Sequence, residues 1–464
     1  MTQPTTGRVD VPEIVGADTA WVLVSAALVM FMTPGLGLFY GGLVRSNNVL
    51  GTIMQSFFAL GLVSLLWVLV GYTLAFGPDI GGVIGGLDFA GLRGVGQAPS
   101  DTYATTVPHV AFSMYQLMFA IITPALITGA IAERMRFSAY VLFLAMWSIF
   151  VYAPVAHWVF ADGWLGAAGL GAIDFAGGTV VHINAGAAAL AAVIYMGARK
   201  GHGSRAFIPH NVPMVITGAA ILWLGWFGFN AGSALGANGL AASAFTATHL
   251  AAAAGILGWL VPERIRHGKG SSIGAATGAV AGLVAVTPAA GFVEPWAAIV
   301  IGLAAGVVCF AAVQIKVRKR FDDSLDVVGV HLVGGLIGAL LTGVFASTAI
   351  NTVAGGAAQL GKQAIAAAVT LVFSFVATLA ILKVVDSLVG VRVTEEEEEE
   401  GLDLSQHGES AYGHGEPSTA VPALSEHDVD RLVKELMKVT RTGTTADGAV
   451  VIPSISRSEG APTD

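Results

Sequence analysis

Apolar residues along this chain gather into eleven runs, near 19–42, 48–76, 109–132, 137–160, 175–198, 212–234, 241–262, 271–290, 293–316, 327–348 and 363–389. A membrane-spanning helix needs about 20 such residues. Between the runs lie short polar loops. The fifth and tenth runs differ from the rest, because each opens on a carboxylate, Asp174 or Asp326, and carries an imidazole, His182 or His331. The pattern predicts an all-α polytopic membrane protein of eleven transmembrane helices.

Basic residues set the orientation. One set of alternate loops carries Arg45; Arg134 and Arg136; Arg199, Lys200 and Arg205; Arg264, Arg266 and Lys269; then Lys316, Arg318, Lys319 and Arg320. The opposite loops carry only Arg93 and Lys362. This bias places the first set in the cytoplasm, the N-terminus outside and the C-terminus inside. Composition agrees. The chain is 55% hydrophobic and only 12% charged, with a mean hydropathy of +0.73, whereas a soluble domain has about 25% charged residues. Glycine, at 60 of 464 residues, suits close packing of membrane helices. The net charge of −8 comes largely from the C-terminal acidic stretch and argues against a nucleic-acid binder. A lone Cys309 allows no intramolecular disulfide.

Three regions follow: an extracytoplasmic segment 1–18, a membrane domain 19–390 and a cytoplasmic tail 391–464. The polar start MTQPTTGRVDVPEIVGADTAW lacks the basic-then-apolar pattern of a signal peptide, so the first run is expected to stay as a membrane helix. In the tail, the glutamate run of VRVTEEEEEEGLDLSQ is expected to be solvated and poorly ordered. Further on, Ser425 stands three residues before Asp428, and Val429, Leu432, Val433, Leu436 and Met437 share one face. That spacing predicts a short amphipathic helix near 425–441.

The fifth and tenth runs also resemble each other. VVHINAGAAAL (180–190) and VGVHLVGGLIGAL (328–340) each carry Val-His and then Gly four residues on, Gly186 or Gly335. Asp174 precedes His182 by eight residues and Asp326 precedes His331 by five. Helices five and ten of an eleven-span chain run in opposite directions. The expectation is an inverted repeat of helices 1–5 and 6–10, with a site near the midplane. Each Asp is placed to cap its helix. At 1.5 Å rise per residue, the imidazoles lie about 12 Å and about 7–8 Å inward of the two carboxylates, so they meet if both Asp residues floor recessed vestibules.

A single helical His is usually a satisfied structural residue. Two on related helices, among few ionisable groups, mark a site. With no third ligand nearby they make a poor metal site, and no cofactor is implied. Buried neutral imidazoles each offer one donor and one acceptor. Such a pair suits a small neutral solute or a proton relay, not a bare alkali cation.

DFAGGTVVHINAG (174–186), PGLGLFYGGLVRSNNVL (34–50), GAIAERMRFS (129–138), PHNVPMVITGAAILWLGWFGFNAGSA (209–234), GAVAGLVAVTPAAGFVEPWAA (278–298), DVVGVH (326–331) and GLDLSQHGESAY (401–412) together resemble the Amt/Mep/Rh ammonium transporter family, in its Amt branch. The likeness covers roughly residues 19 to 412. It implies twin pore histidines at His182 and His331, a phenylalanine gate of Phe119 and Phe229, a pore-lining Trp226 and a vestibule-shaping Asp174. It also implies an external ammonium site at Ser233, Tyr115 and Phe160. The family usually has Phe and Trp where this chain has Tyr115 and Phe160. Because Phe is a weaker cation–π partner than Trp, external binding is expected to be differently tuned; Trp158 and Trp164 lie near in sequence as substitutes.

The resemblance further implies an ammonium transporter, not an enzyme, with methylammonium as an analogue. Ammonium loses a proton on entry and ammonia passes the histidines. The implied assembly is a homotrimer in the cell membrane with one pore per subunit, open to block by a PII-type signalling protein. The alternative is an ammonium sensor with little flux. A proton-coupled carrier of a larger solute would need more intramembrane charge than this sequence holds.

Overall fold

The computed structural model describes residues 13–161, 163–319 and 321–412; the helix expected near 425–441 lies outside them. Among the described residues, ten helices are long and apolar enough to cross a membrane. They are α1 (Gly16–Leu43), α2 (Val49–Phe76), α3 (His109–Ile131), α4 (Phe137–Phe160), α5 (Gly178–Met196), α6 (Val212–Ala234), α7 (Gly239–His267), α9 (Pro295–Lys316), α10 (Val328–Phe345) and α11 (Ala357–Val389). Between α7 and α9 lies α8 (Ser272–Val286), which is apolar but shorter. Two small antiparallel hairpins, β1–β2 (Asp79–Ile80, Ile84–Gly85) and β3–β4 (Pro99–Ser100, Ala104–Pro108), fill the loop between α2 and α3.

Two boundaries depart from the hydropathy pattern for identifiable reasons. The run expected over 271–290 stops being helical at Val286, leaving 15 residues, or about 22 Å. Pro288 cannot donate to a helix. It packs instead under the start of α5, where a Cβ on Gly178 would lie 2.5 Å from its ring, and its carbonyl accepts from Phe175 N. The last helix begins at Ala357 rather than near 363. Its first turns hold Gln359 and Gln363, which look loop-like in sequence but are buried. Gln363 exchanges hydrogen bonds with the Ile173 backbone at 2.7 and 2.8 Å, and Gln359 donates to Gly171 O.

Helix α1 packs along α6, with backbones so close that a Cβ on Gly218 would fall 2.3 Å from Phe39 N. The α5–α10 contact is reciprocal. A Cβ on Gly186 would meet Leu332 N at 2.5 Å, and one on Gly335 would meet His182 Cβ and Ile183 N at 3.1 Å. Each glycine thus abuts the other helix beside its histidine. The two helices are antiparallel: Arg199, just after α5, bonds Asp322, just before α10. Both begin in π-helical turns, Gly178–Ile183 and Val328–Leu332, which contain His182 and His331. Such turns are rare and concentrate at functional sites.

The glutamate run is ordered, contrary to the expectation from its composition. Glu395–Glu400 forms helix α12, opened by a capping box between Thr394 and Glu397. Carboxylates are favoured in a first helical turn, and the loops between the long helices supply cations. Glu398 is fully buried, accepting from Lys200 N at 2.6 Å and from Arg392 at 2.8 Å. Helix α13 (Leu402–His407) follows: Leu402 N donates to Asn48 Oδ1, and Asp403 Oδ1 accepts from Gly51 N.

Candidate functional site

A narrow cavity of about 10 Å³ lies among α1, α3, α5, α6, α8 and α10, room for roughly one water-sized molecule. Its walls are apolar (Met32, Leu36, Phe39, Ile122, Leu126, Val181, Leu222, Phe229 and Val280) except for Trp226, His182 and His331. The Trp226 indole N–H donates to Thr287 Oγ1 at 2.9 Å, so it presents a ring face to the cavity rather than a donor. Thr287 carries no mark in the sequence that foretells this role. The imidazoles are therefore the hydrogen-bonding groups left to the cavity.

His182 and His331 approach Nδ1 to Nδ1 at 3.2 Å, with ring centroids 5.3 Å apart and planes at 29°. A bond between like nitrogens needs unlike tautomers: one ring donates through Nδ1–H, the other accepts. The two Nε2 atoms must then differ, one a bare acceptor and the other carrying hydrogen. His182 Nε2 is buried without a hydrogen-bond partner among the described residues. His182 also stacks on Trp226 and Phe229, at 5.5 and 6.0 Å, which fixes its plane. The Gly186 contact holds the helices at the spacing the pair requires. Gly186→Ala drives a methyl into the Leu332 backbone and is expected to destabilise by about 1–3 kcal/mol. Thermal unfolding in detergent should show it more damaging than Gly335→Ala, whose nearest contacts leave more room.

Phe119 and Phe229 meet at 4.4 Å between centroids and 49° between planes, both buried. Phe229 lines the inner cavity, and Phe119 lines a second, larger cavity of about 210 Å³. Two rings thus separate two spaces. The larger cavity is walled by Phe160, Ser233, Phe175, Phe112, Gln116, Thr102, Tyr103 and Leu235 as well. Of the three residues assigned to external binding, Phe160 and Ser233 line it. Tyr115 stands behind the wall: it is fully buried, packs edge-on to Phe119 at 5.0 Å, and its hydroxyl reaches Gly228 O, Phe229 O and Ser233 Oγ. Ser233 Oγ donates to Phe229 O. The two hydroxyls lie 3.1 Å apart and either can donate to the other. Trp158 and Trp164 pack on each other at 5.9 Å and are not among the cavity's lining residues.

The carboxylates before α5 and α10 fall into one register. Asp174 accepts four backbone N–H bonds, from Gly177 and Gly178 on one oxygen and Thr179 and Val180 on the other. Its counterpart is not Asp326. Asp323 receives the N–H groups of Val327, Val328 and Gly329. Asp326 is displaced because its backbone is left-handed, φ 63°, and its carboxylate pairs with Lys316. Asp323 precedes His331 by eight residues, the spacing of Asp174 and His182.

Facing the tail is an ion cluster that the loop arginines alone did not foretell. Asp322 binds Arg199 at 2.8 Å and Arg134 at 3.0 Å; Glu133 binds Arg199 at 3.0 Å and Arg45 at 3.1 Å. Burial pushes the Asp322 carboxyl up, but hydrogen bonds and charge from Arg199, then Arg134, hold it well below the usual carboxylate range. Burial pulls the Arg134 guanidinium down to about 10, Asp322 opposing the change. Arg199 Cζ also sits 4.0 Å from the Phe207 ring centroid. No group of three or more His, Cys, Asp or Glu placed to hold a metal ion occurs among the described residues.

Apolar helices of membrane-crossing length, enclosing small cavities parted by two phenyl rings, define a multi-pass membrane transport protein. The sequence model of the Ammonium Transporter Family matches residues 20–412, and the chain belongs to that family; it is a transporter, not an enzyme. It is similar to the ammonium transporter of Bacillus subtilis (strain 168), 51% identical over 402 residues, 85% of this chain and 98% of the relative. The crystal structure of Saccharomyces cerevisiae Mep2 superposes with a TM-score of 0.80 at 38% identity, covering 88% of this chain and 93% of that one. A solved structure described as a sensor Amt protein gives a TM-score of 0.78 at 31% identity, covering 84% of this chain and 98% of its own.

Proposed function

We propose that this protein transports ammonium by taking the cation into the outer vestibule, removing a proton beneath the Phe119–Phe229 pair and passing ammonia along His182 and His331. The observation that carries this reading is the imidazole pair, 3.2 Å apart, in an otherwise apolar cavity of about 10 Å³. A cation entering such a space loses its hydration with no anion to replace it. Ammonium can shed the charge as a proton; an alkali ion cannot. Unlike tautomers suit the neutral product, which meets an acceptor on one ring and a donor on the other. Handing a proton along the pair exchanges the tautomers, which offers a separate route for the proton.

The proposal includes eleven spans, with the N-terminus outside and the tail inside, built as an inverted repeat of helices 1–5 and 6–10. The reciprocal glycine contacts and the common eight-residue Asp–His spacing support the repeat. Family resemblance supports a homotrimer in the cell membrane, with a face near the tail suited to a PII-type protein. A second reading, an ammonium sensor with little flux, draws on the structural likeness to a sensor Amt protein. Reconstituted vesicles under an ammonium gradient separate the two. Transport predicts an ammonium-dependent current or luminal pH change. Ammonium binding without either, while control transporters respond, overturns the proposal in favour of the sensor.

A further inference from the structure

His157, in the last turn of α4, is fully buried and has both ring nitrogens engaged. Nδ1 lies 3.0 Å from Ala75 O, and Nε2 lies 2.9 Å from Asp79 Oδ1. A backbone carbonyl only accepts, so Nδ1 carries hydrogen. Asp79 is arranged as an acceptor too, because Gly82 N donates to both of its oxygens at 2.7 and 2.9 Å. The hydrogen bond from His157 holds the Asp79 carboxyl below the usual carboxylate range, against burial and with help from Gly82. Nε2 must then carry hydrogen as well, and a neutral imidazole has only one N–H to give. The two acceptors therefore hold His157 as an imidazolium.

The pair joins two parts of the outer rim. Asp79 opens the β1–β2 hairpin, which also receives Trp158 Nε1 at Val83 O (2.7 Å) and Trp164 N at Gly82 O (3.1 Å). Phe160, one turn from His157, lines the outer cavity. Among the described residues Asp79 is the one ion-pair partner of His157. The other titratable side chains on the segments packed around this end of α4 have other neighbours or no charge: Tyr72 is bonded to His109, Asp88 lies beside Gly86, His182 pairs with His331, and Tyr152 is a neutral phenol.

We propose that His157 is a positioning residue for transport: paired as a cation with Asp79, it pins the outer hairpin to the end of α4 and so fixes Phe160, and loss of its proton releases both. As pH rises the ring gives up its Nε2 hydrogen, and a lone pair then faces Asp79 Oδ1, acceptor against acceptor. The outer mouth is thereby sensitive to external pH. The inference rests on the transport reading above and concerns a residue that touches no substrate.

Uptake of methylammonium, a cation throughout the range, is measured in vesicles between about pH 6 and pH 9 for wild type, Asp79→Asn and Asp79→Ala. Hydrogen exchange of residues 79–86, corrected for its intrinsic pH dependence, is followed beside it. In wild type the half-saturating concentration is expected to rise about threefold or more with pH, the worth of a partly exposed ion pair, with little change in maximal rate. Exchange of the hairpin should quicken over the same range. Asparagine offers an N–H to the neutral ring, so Asp79→Asn keeps the clamp without its proton, and both readouts should lose their slope. Asp79→Ala should show the high-pH behaviour of wild type at every pH. A merely structural contact does not exchange pH slopes in this way. A flat wild type, an Asp79→Asn variant that keeps the wild-type slope, or an Asp79→Ala variant that matches wild type at low pH overturns the proposal. Wild-type protein without uptake counts against transport instead, and hydrogen exchange still decides on the clamp.

Discussion

Replacing Asp322 with alanine is expected to lower the stability of this protein by about 3–5 kcal/mol, the range for removing one partner of a buried ion cluster. The substitution leaves Arg134 and Arg199 buried side by side. Arg134 has almost no exposure, so water cannot replace the lost carboxylate. Arg199 still has Glu133 at 3.0 Å; the Arg134 Nη1 contacts that remain are neutral, chiefly Ser324 Oγ. The damage should spread to the tail, because Arg134 O accepts from Val393 N, and Lys200, next to Arg199, binds Glu398. Thermal unfolding in detergent measures the loss, and protease sensitivity after residue 389 measures release of the tail. Asp322→Asn, which keeps an acceptor without the charge, should fall between wild type and alanine.

The pH dependence has a definite sign. A carboxyl held below its unfolded value stabilises fully above that unfolded value, and the contribution fades only as pH falls through the lowered folded value. Asp322 is such a group. Its contribution to unfolding should therefore be constant between about pH 8 and pH 5. A fall in Tm within that window that vanishes in Asp322→Asn would contradict the assignment.

Much of this architecture is legible in the sequence, and the failures are instructive. Apolar runs locate the long helices because lipid demands them. The histidines stand out because ionisable groups are rare in such runs. Asp326 was the wrong carboxylate because it adjoins the recognisable DVVGVH stretch, while Asp323 sits in a cluster of three acids, FDDSLD. The eight-residue spacing of Asp174 to His182 would have selected Asp323. The glutamate run misled for another reason: its order depends on cations from loops hundreds of residues away, which composition does not see. Gln359 and Gln363 share that blindness. Each is polar in an apolar helix, and only the fold reveals that a backbone loop meets it. The π-helical turns at both histidines leave no trace in the hydropathy of those runs.

The largest functional change is expected from His182→Ala and His331→Ala. Alanine removes the ring that the partner imidazole binds and, at His182, the surface stacked on Trp226 and Phe229. The cavity, sized for about one small molecule, gains the volume of an imidazole and room for water. A wet pore no longer demands that a cation discard its charge, so potassium should enter and the proton route should break. The measurement is ammonium against potassium transport in vesicles holding wild type or either variant, read as current and luminal pH. The account predicts an ammonium response without a potassium response in wild type, and an ammonium-over-potassium ratio at least about tenfold lower in each variant, a change of about 1.4 kcal/mol. Unchanged rate and unchanged ratio in both variants would contradict it.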